Sequence, residues 1–238
     1  MIILLAAAVL PAAFLLYRVY KMDTIEKEPW SILRKLLFWG ALSGIPAALV
    51  ESVLTGVLQS VVEEGTLFYN LIFGFVVAAL VEEGFKFFFL YKSTFKSPDF
   101  NYHFDGVVYA VFVSMGFAIL ENVLYVFQGG LSVALTRALL ALPLHAACGV
   151  YMGIAYGQQK VNSFYQRPTF GTVAKACLPV PILIHGFYDF CAFSVESWPI
   201  FIAIFLVFVI AVFILTLKRL KKASREDRPV EEVTIDVQ

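Results

Sequence analysis

The chain has 238 residues, 60% of them hydrophobic and only 15% charged, with no formal net charge. A soluble domain is roughly 45–50% apolar and about 25% charged. That contrast, with a mean hydropathy of +0.81, excludes a soluble globular protein and describes a chain embedded in a lipid bilayer.

A helix needs roughly 20 apolar residues to cross the hydrocarbon core. Seven windows reach that length, at about 2–20, 35–58, 67–91, 105–127, 131–157, 172–194 and 199–217, so the expected fold is an all-α, polytopic membrane helical bundle. The first window meets no cation until Arg18 and lacks the basic start of a signal peptide, so it reads as an uncleaved reverse signal-anchor helix. The loops then alternate in charge. Arg18, Lys21, Lys27, Arg34 and Lys35 lie between the first two windows, whereas the next loop has Glu63 and Glu64 and no cation. Lys92 and Lys96 follow the third window, and Phe127 to Gly130 after the fourth is uncharged. Lys160 and Arg167 follow the fifth, Glu196 stands alone after the sixth, and the tail opens with Lys218, Arg219, Lys221, Lys222, Arg225 and Arg228. Cations mark cytoplasmic loops, so the expected topology has the N-terminus outside and the C-terminus in the cytoplasm. The bundle is expected to occupy 1–222. The short, charge-mixed segment 223–238 reads as a disordered cytoplasmic tail. Cys148, Cys177 and Cys191 fall in or beside apolar runs with no CxxC spacing and read as packing residues.

With loops this short, chemistry has to happen inside the bundle, where ionisable side chains are costly. The third window carries Glu82, Glu83 and Lys86; the fourth carries Glu121 and Asn122; the fifth carries Arg137 and His145; the sixth carries His185 and Asp189. Counting along each window at about 1.5 Å per residue puts Glu82, His145 and His185 near mid-membrane, with Glu121 higher toward the outside. Helical spacing lets Lys86 pair with one of the two glutamates and leaves the other, about 100° around the helix, free. Asp189, one turn after His185, can orient that imidazole.

Blander roles compete for several of these residues. Lys86 serves as a structural ion-pair partner, Arg137 snorkels to the interface, His103 and Glu51 are interfacial, and Asn122 bridges helices. Two carboxylates and two imidazoles at one depth do not reduce to packing. They suit a carboxylate base activating water or a zinc site with an open position. Proton-coupled transport uses the same residue types, and a non-catalytic membrane scaffold would keep the same bundle.

Five segments in order, Glu82-Glu-Gly-Phe-Lys86, His103-Phe-Asp-Gly-Val-Val-Tyr109, Gly116-Phe-Ala-Ile-Leu-Glu-Asn122, His145 and His185-Gly-Phe-Tyr-Asp189, resemble the PrsW family of bacterial intramembrane proteases. The likeness runs from about residue 5 to residue 222. The family sits in a superfamily with the type II CAAX prenyl endopeptidases and bacteriocin-immunity-type membrane proteins. The resemblance implies a multi-pass protein of the bacterial cell membrane that makes the extracytoplasmic site-1 cut in a single-span, membrane-anchored anti-sigma factor, releasing a sigma factor in envelope stress. No nucleic-acid partner is expected. It also implies that Glu82, Glu83 and His185 are essential, with His145 as the family's other membrane histidine. Glu121, Asn122, Asp189 and Lys86 would support them. Two mechanisms stay open: Zn²⁺ held by His145, His185 and Glu83, or a metal-free glutamate mechanism.

Overall fold

The structure is a computed structural model, and it describes residues 1–230. Its elements are helical throughout: α1 (Ile2–Met22), α2 (Trp30–Val61), α3 (Leu67–Ile72), a π-helical stretch (Phe73–Ala79), α4 (Leu80–Thr94), α5 (Asp105–Leu139), α6 (Ala141–Gln166), α7 (Phe170–Cys177), α8 (Pro179–Ser194) and α9 (Ile200–Arg225). No strand occurs among the described residues; Tyr102 and Pro229 form an isolated antiparallel bridge. The protein is therefore an all-α membrane bundle. Ile2–Met22, Trp30–Val61, the run Asp105–Phe164 and Ile200–Arg225 are long and apolar enough to cross a membrane, and α7 with α8 adds a pair bent by 46°. Every apolar window of the sequence falls on helix.

Local chemistry sets the ends of these helices. Thr66 caps α3 by accepting the Tyr69 N–H at 3.1 Å, and Thr169 caps α7 by accepting the Thr172 N–H at 3.2 Å. Pro29 and Pro199 precede α2 and α9, where a missing N–H costs nothing. Inside α5, Gly130 breaks the rod with φ +73°, a left-handed value that glycine takes without steric cost. The chain from Leu131 therefore forms a separate short stretch before α6 starts at Ala141.

α5 is the axis of the bundle. Every residue from Asp105 to Ala118 is buried, wrapped by α1, α2 and α6. Glycines allow these close crossings, as small residues do between membrane helices. A Cβ on Gly40 would collide with the Val113 carbonyl, and one on Gly116 with the Leu37 carbonyl, so α2 and α5 touch backbone to backbone. A Cβ on Gly74, in the π-helical stretch, would lie 2.9 Å from both Gly186 O and Phe190 N of α8. The outer faces are apolar, with Leu10, Phe14, Phe38, Leu49, Val207 and Ile210 exposed. In water such a belt would be an association surface, but in a bilayer it is the lipid face.

The tail departs from the sequence reading. Ala223, placed in a disordered segment, is buried inside α9, which continues to Arg225. Asp227 accepts the Phe104 N–H at 2.8 Å. His103 N donates to Arg228 O at 3.0 Å, and Val230, 2% exposed, donates to Asn101 O at 2.7 Å. Composition suggested disorder because it does not register these specific backbone pairings. The expected disorder of 231–238 lies outside the described residues.

Candidate active site

The site is built where α4, α5, α6 and α8 meet. Glu82 and Glu83 open α4 just after the π-helical stretch, and both are buried. Lys86, one turn later and 0% exposed, lies between them, with its Nζ 3.0 Å from Glu82 Oε2 and 2.8 Å from Glu83 Oε1. The expectation that Lys86 takes one glutamate and frees the other is corrected. A flexible four-carbon stem brings the ammonium between both carboxylates, although they project from different faces of the helix.

The two histidines face this triad from opposite neighbours, with ring centroids 5.3 Å apart. His145 Nδ1 is 3.1 Å from Lys86 Nζ, and its Nε2 is 3.0 Å from Glu121 Oε2. His185 Nδ1 is 2.9 Å from Glu83 Oε1. Its Nε2 lies 3.4 Å from Asp189 Oδ2 and 3.9 Å from Glu82 Oε2. Asp189 thus stands beside His185 as the one-turn spacing suggested.

Sequence reasoning placed Glu121 too high and left Arg137 at the lipid interface. Glu121 instead bonds His145, and Arg137 Nη2 lies 2.8 Å from Glu121 Oε2. Arg137 Nε donates to Asn122 Oδ1 at 2.9 Å, and Asn122 Nδ2 donates to Ala8 O at 2.7 Å, so Asn122 does bridge helices. Within a bundle a guanidinium with two polar partners inward gains more than by snorkelling. Ser114, which the sequence did not single out, pins α6 to α5 by donating to His145 O at 2.7 Å. A serine in an apolar run carries no signal of that role.

A cavity of about 520 Å³ opens on this cluster. Glu82, Glu121, His145, His185, Asp189 and Arg137 line it, whereas Glu83 and Lys86 do not. Exposed Tyr125 and Thr136 line it too, toward the end of the bundle whose loops carry Glu63, Glu64 and Glu196. Glu51, read as interfacial, also lines this cavity, with its Oε1 buried and without a hydrogen-bond partner.

The donors suit a metal ion. One ligand atom from each of Glu82, Glu83, His145 and His185 lies within 4.8 Å of the others. Two imidazoles and carboxylates with room for water are a zinc-type set. Glu83 Oε2, moreover, is buried with no partner. Lys86 Nζ already contacts Glu82 Oε2, Glu83 Oε1 and His145 Nδ1, so an ion taking those atoms would have to displace its ammonium.

A membrane bundle that gathers carboxylates and imidazoles around an internal cavity has the makings of an intramembrane hydrolase. Comparison with known proteins agrees. Residues 28–216 match the PrsW family intramembrane metalloprotease. The chain is 32% identical over 228 residues to the protease PrsW of Geobacillus kaustophilus (strain HTA426), covering 95% of this chain and 94% of that one. It is 32% identical over 209 residues to the protease PrsW of Bacillus subtilis (strain 168), covering 88% and 91%. With the protease PrsW of Clostridioides difficile (strain 630) it shares 31% identity over 229 residues, covering 94% and 92%. No solved structure matches the chain. The chain belongs to the PrsW family: it is a multi-pass membrane protein and a peptide hydrolase.

Proposed function

We propose that this protease makes the site-1 cut in a single-span, membrane-anchored anti-sigma factor, on the extracytoplasmic side, and so starts sigma-factor release in envelope stress. The family carries the substrate class. In this reading the chain crosses the bilayer seven times with the N-terminus outside. The cavity then opens extracytoplasmically, which reconciles a mid-membrane site with a cut on the outer side.

One observation carries the assignment of roles: Glu82 and His185 line the cavity 3.9 Å apart, while Glu83 stands behind them. Glu82 is the general base. Its carboxylate takes a proton from water as the water oxygen bonds to the scissile carbonyl carbon. His185 presents Nε2 to the carbonyl oxygen as an imidazolium, with Glu83 and Asp189 balancing its charge, and so meets the developing oxyanion. Glu82 then returns the proton to the amide nitrogen as the C–N bond breaks. His145 and Glu121 hold the far wall of the cavity. Should the enzyme use zinc, Glu83, His145 and His185 would hold it, and the ion would lower the pKa of a bound water toward about 7.

Co-expression with a tagged single-span anti-sigma factor tests this reading. The parent should cut it and Glu82→Gln and His185→Ala should not; continued cutting by both variants would sink the proposal. Metal analysis of the detergent-purified parent and Glu83→Gln addresses the ion: stoichiometric zinc lost in the variant supports the metal version.

A further inference from the structure

A second cavity, of about 460 Å³, lies at the opposite end of the bundle, away from the catalytic cluster. Its walls are the facing sides of α6 and α9. Arg219 and Lys222, spaced i, i+3, share one face of α9, and Glu226 is the residue that caps its C-terminus. Ile154 and Gln158, one turn apart, come from α6, and His103 and Arg228 close the end.

These last two residues are fixed in place. Their backbones pair through His103 N to Arg228 O at 3.0 Å, beside the Tyr102–Pro229 bridge. Asp227 tightens the same turn by accepting both Phe104 N at 2.8 Å and Arg228 N at 2.9 Å. Arg228 is therefore presented by a built corner. Among the described residues, Lys222 is the one of these cations with a carboxylate in ion-pair range, Glu226 at 3.7 Å, in a pair exposed to solvent. Among the described residues Arg219 and Arg228 make no ion pair, so the lining carries three cations against one carboxylate.

A concave, cation-rich site with two guanidiniums selects for phosphate, whose oxygens match the planar fork of arginine. Its position adds to this. The end of the bundle with Lys21, Lys27, Lys92 and Lys96 is the cytoplasmic one by its charge, and that leaflet carries anionic lipid. Leu215, one turn before Arg219 on the same face of α9, is 52% exposed and offers an acyl chain an apolar track leading to the guanidinium. Burial holds the pKa of His103 below its ordinary value, and the Arg228 charge lowers it further, as expected of a pocket with uncompensated positive charge.

We propose that the cavity bounded by Arg219, Lys222, Arg228 and His103 is a phosphate-binding site, filled by the headgroup of an anionic phospholipid or by a free phosphate. An occupant would tie α9 to the segment that leads into α5, the axis on which Glu121 and Ser114 are carried. The site stands independently of the proteolytic reading.

The test uses the full chain in detergent, so that Glu231, Glu232 and Asp236 are present in every arm. Native mass spectrometry and thermal melting are measured with phosphatidylglycerol, with phosphatidylcholine and with inorganic phosphate. Phosphatidylglycerol should be retained one to one and raise the melting temperature, and Arg219→Gln with Arg228→Gln should weaken that binding about tenfold or more. Inorganic phosphate reproducing the rise would support the site with a free phosphate as its occupant. Equal retention of phosphatidylcholine, or an unchanged affinity in the double variant, would overturn it. A second measurement does not depend on that variant folding: the His103 imidazole resonance of the parent, followed through a pH titration, should move to a higher pKa when the anion is added. An unmoved His103 together with retention of lipid would place that lipid elsewhere and also overturn the proposal.

Discussion

His145 takes its tautomer from Lys86. The ammonium 3.1 Å from His145 Nδ1 has three protons and no lone pair, and its other two partners are Glu83 and Glu82 at 2.8 and 3.0 Å. Nδ1 must therefore accept, which leaves the ring proton on Nε2, where it is donated to Glu121. Lys86 thus does two jobs: it balances two buried carboxylates and sets the hydrogen-bond direction across the floor of the cavity. Replacing it by methionine strands both carboxylates. We expect Lys86→Met to lose cleavage and roughly 3–5 kcal/mol of stability, the usual cost of removing one partner from a buried pair. Thermal melting in detergent beside the cleavage assay measures both.

The two adjacent glutamates should separate in stability while agreeing in activity. Glu82 lines the cavity, so Glu82→Gln should abolish cleavage and leave melting within about 1 kcal/mol of the parent, the scale of one hydrogen bond. Glu83 is 0% exposed and bonds both Lys86 and His185, so Glu83→Gln should abolish cleavage and melt distinctly lower. Equal melting of the two variants would contradict the division of roles.

Glu121 bonds His145 and Arg137 bonds Glu121, so in the proposed mechanism both act by positioning that ring. Glutamine at 121 still offers an oxygen to the Nε2 proton, whereas leucine does not. We expect a loss of about 10–100-fold in Glu121→Leu, the range for a carboxylate that orients a functional histidine, with Glu121→Gln retaining more activity. The order of the two variants in the cleavage assay is the informative readout; equal losses would argue that the charge of Glu121 matters more than its hydrogen bond.

Most of the helical bundle was legible because its signals are local: apolar runs of membrane length, and turn or cap residues at the breaks. The errors came from geometry beyond one helix. Glu121 appeared too high relative to His145 because the depth of His145 was counted down a straight fifth span from residue 131. The break at Gly130 and the restart at Ala141 make His145 only the fifth residue of α6, which brings it to the level of Glu121. Arg137 looked like a snorkelling residue because nothing in the sequence shows that Asn122 and Glu121 face it. The separation of Glu82 from Glu83 was equally invisible, since it depends on which side of α4 the cavity lies.

The α2–α5 crossing offers a test of packing remote from the charges. A methyl group on Gly116 would overlap the Leu37 carbonyl, and backbone cannot yield as a side-chain tip can. Gly116→Ala should therefore cost about 1–3 kcal/mol as the helices separate. Because Gly116 lies little more than one turn before Glu121 on α5, the same displacement should lower cleavage. Gly84→Ala is the control, since a Cβ there meets nothing within 4 Å.

The end of the bundle that carries the α1–α2 loop should make stability depend on pH. Glu28 and Asp23 sit between α1 and α2, outside the membrane-spanning segments, and both are buried. Burial raises the Glu28 carboxyl from 4.5 to about 7, outweighing the hydrogen bond from the Tyr109 hydroxyl. Burial likewise raises Asp23 from 3.8 to about 6 against the pull of Lys27. Each group binds its proton more tightly folded than unfolded, so the folded protein holds more protons across this window. Their contribution to stability is complete below the ordinary carboxylate range and is lost as pH rises through about 6 to 7. Melting temperature should accordingly fall between about pH 5 and pH 8, and Glu28→Gln, which stays neutral and can still accept from Tyr109, should flatten that fall. A variant with the parent's full slope would remove Glu28 as its source.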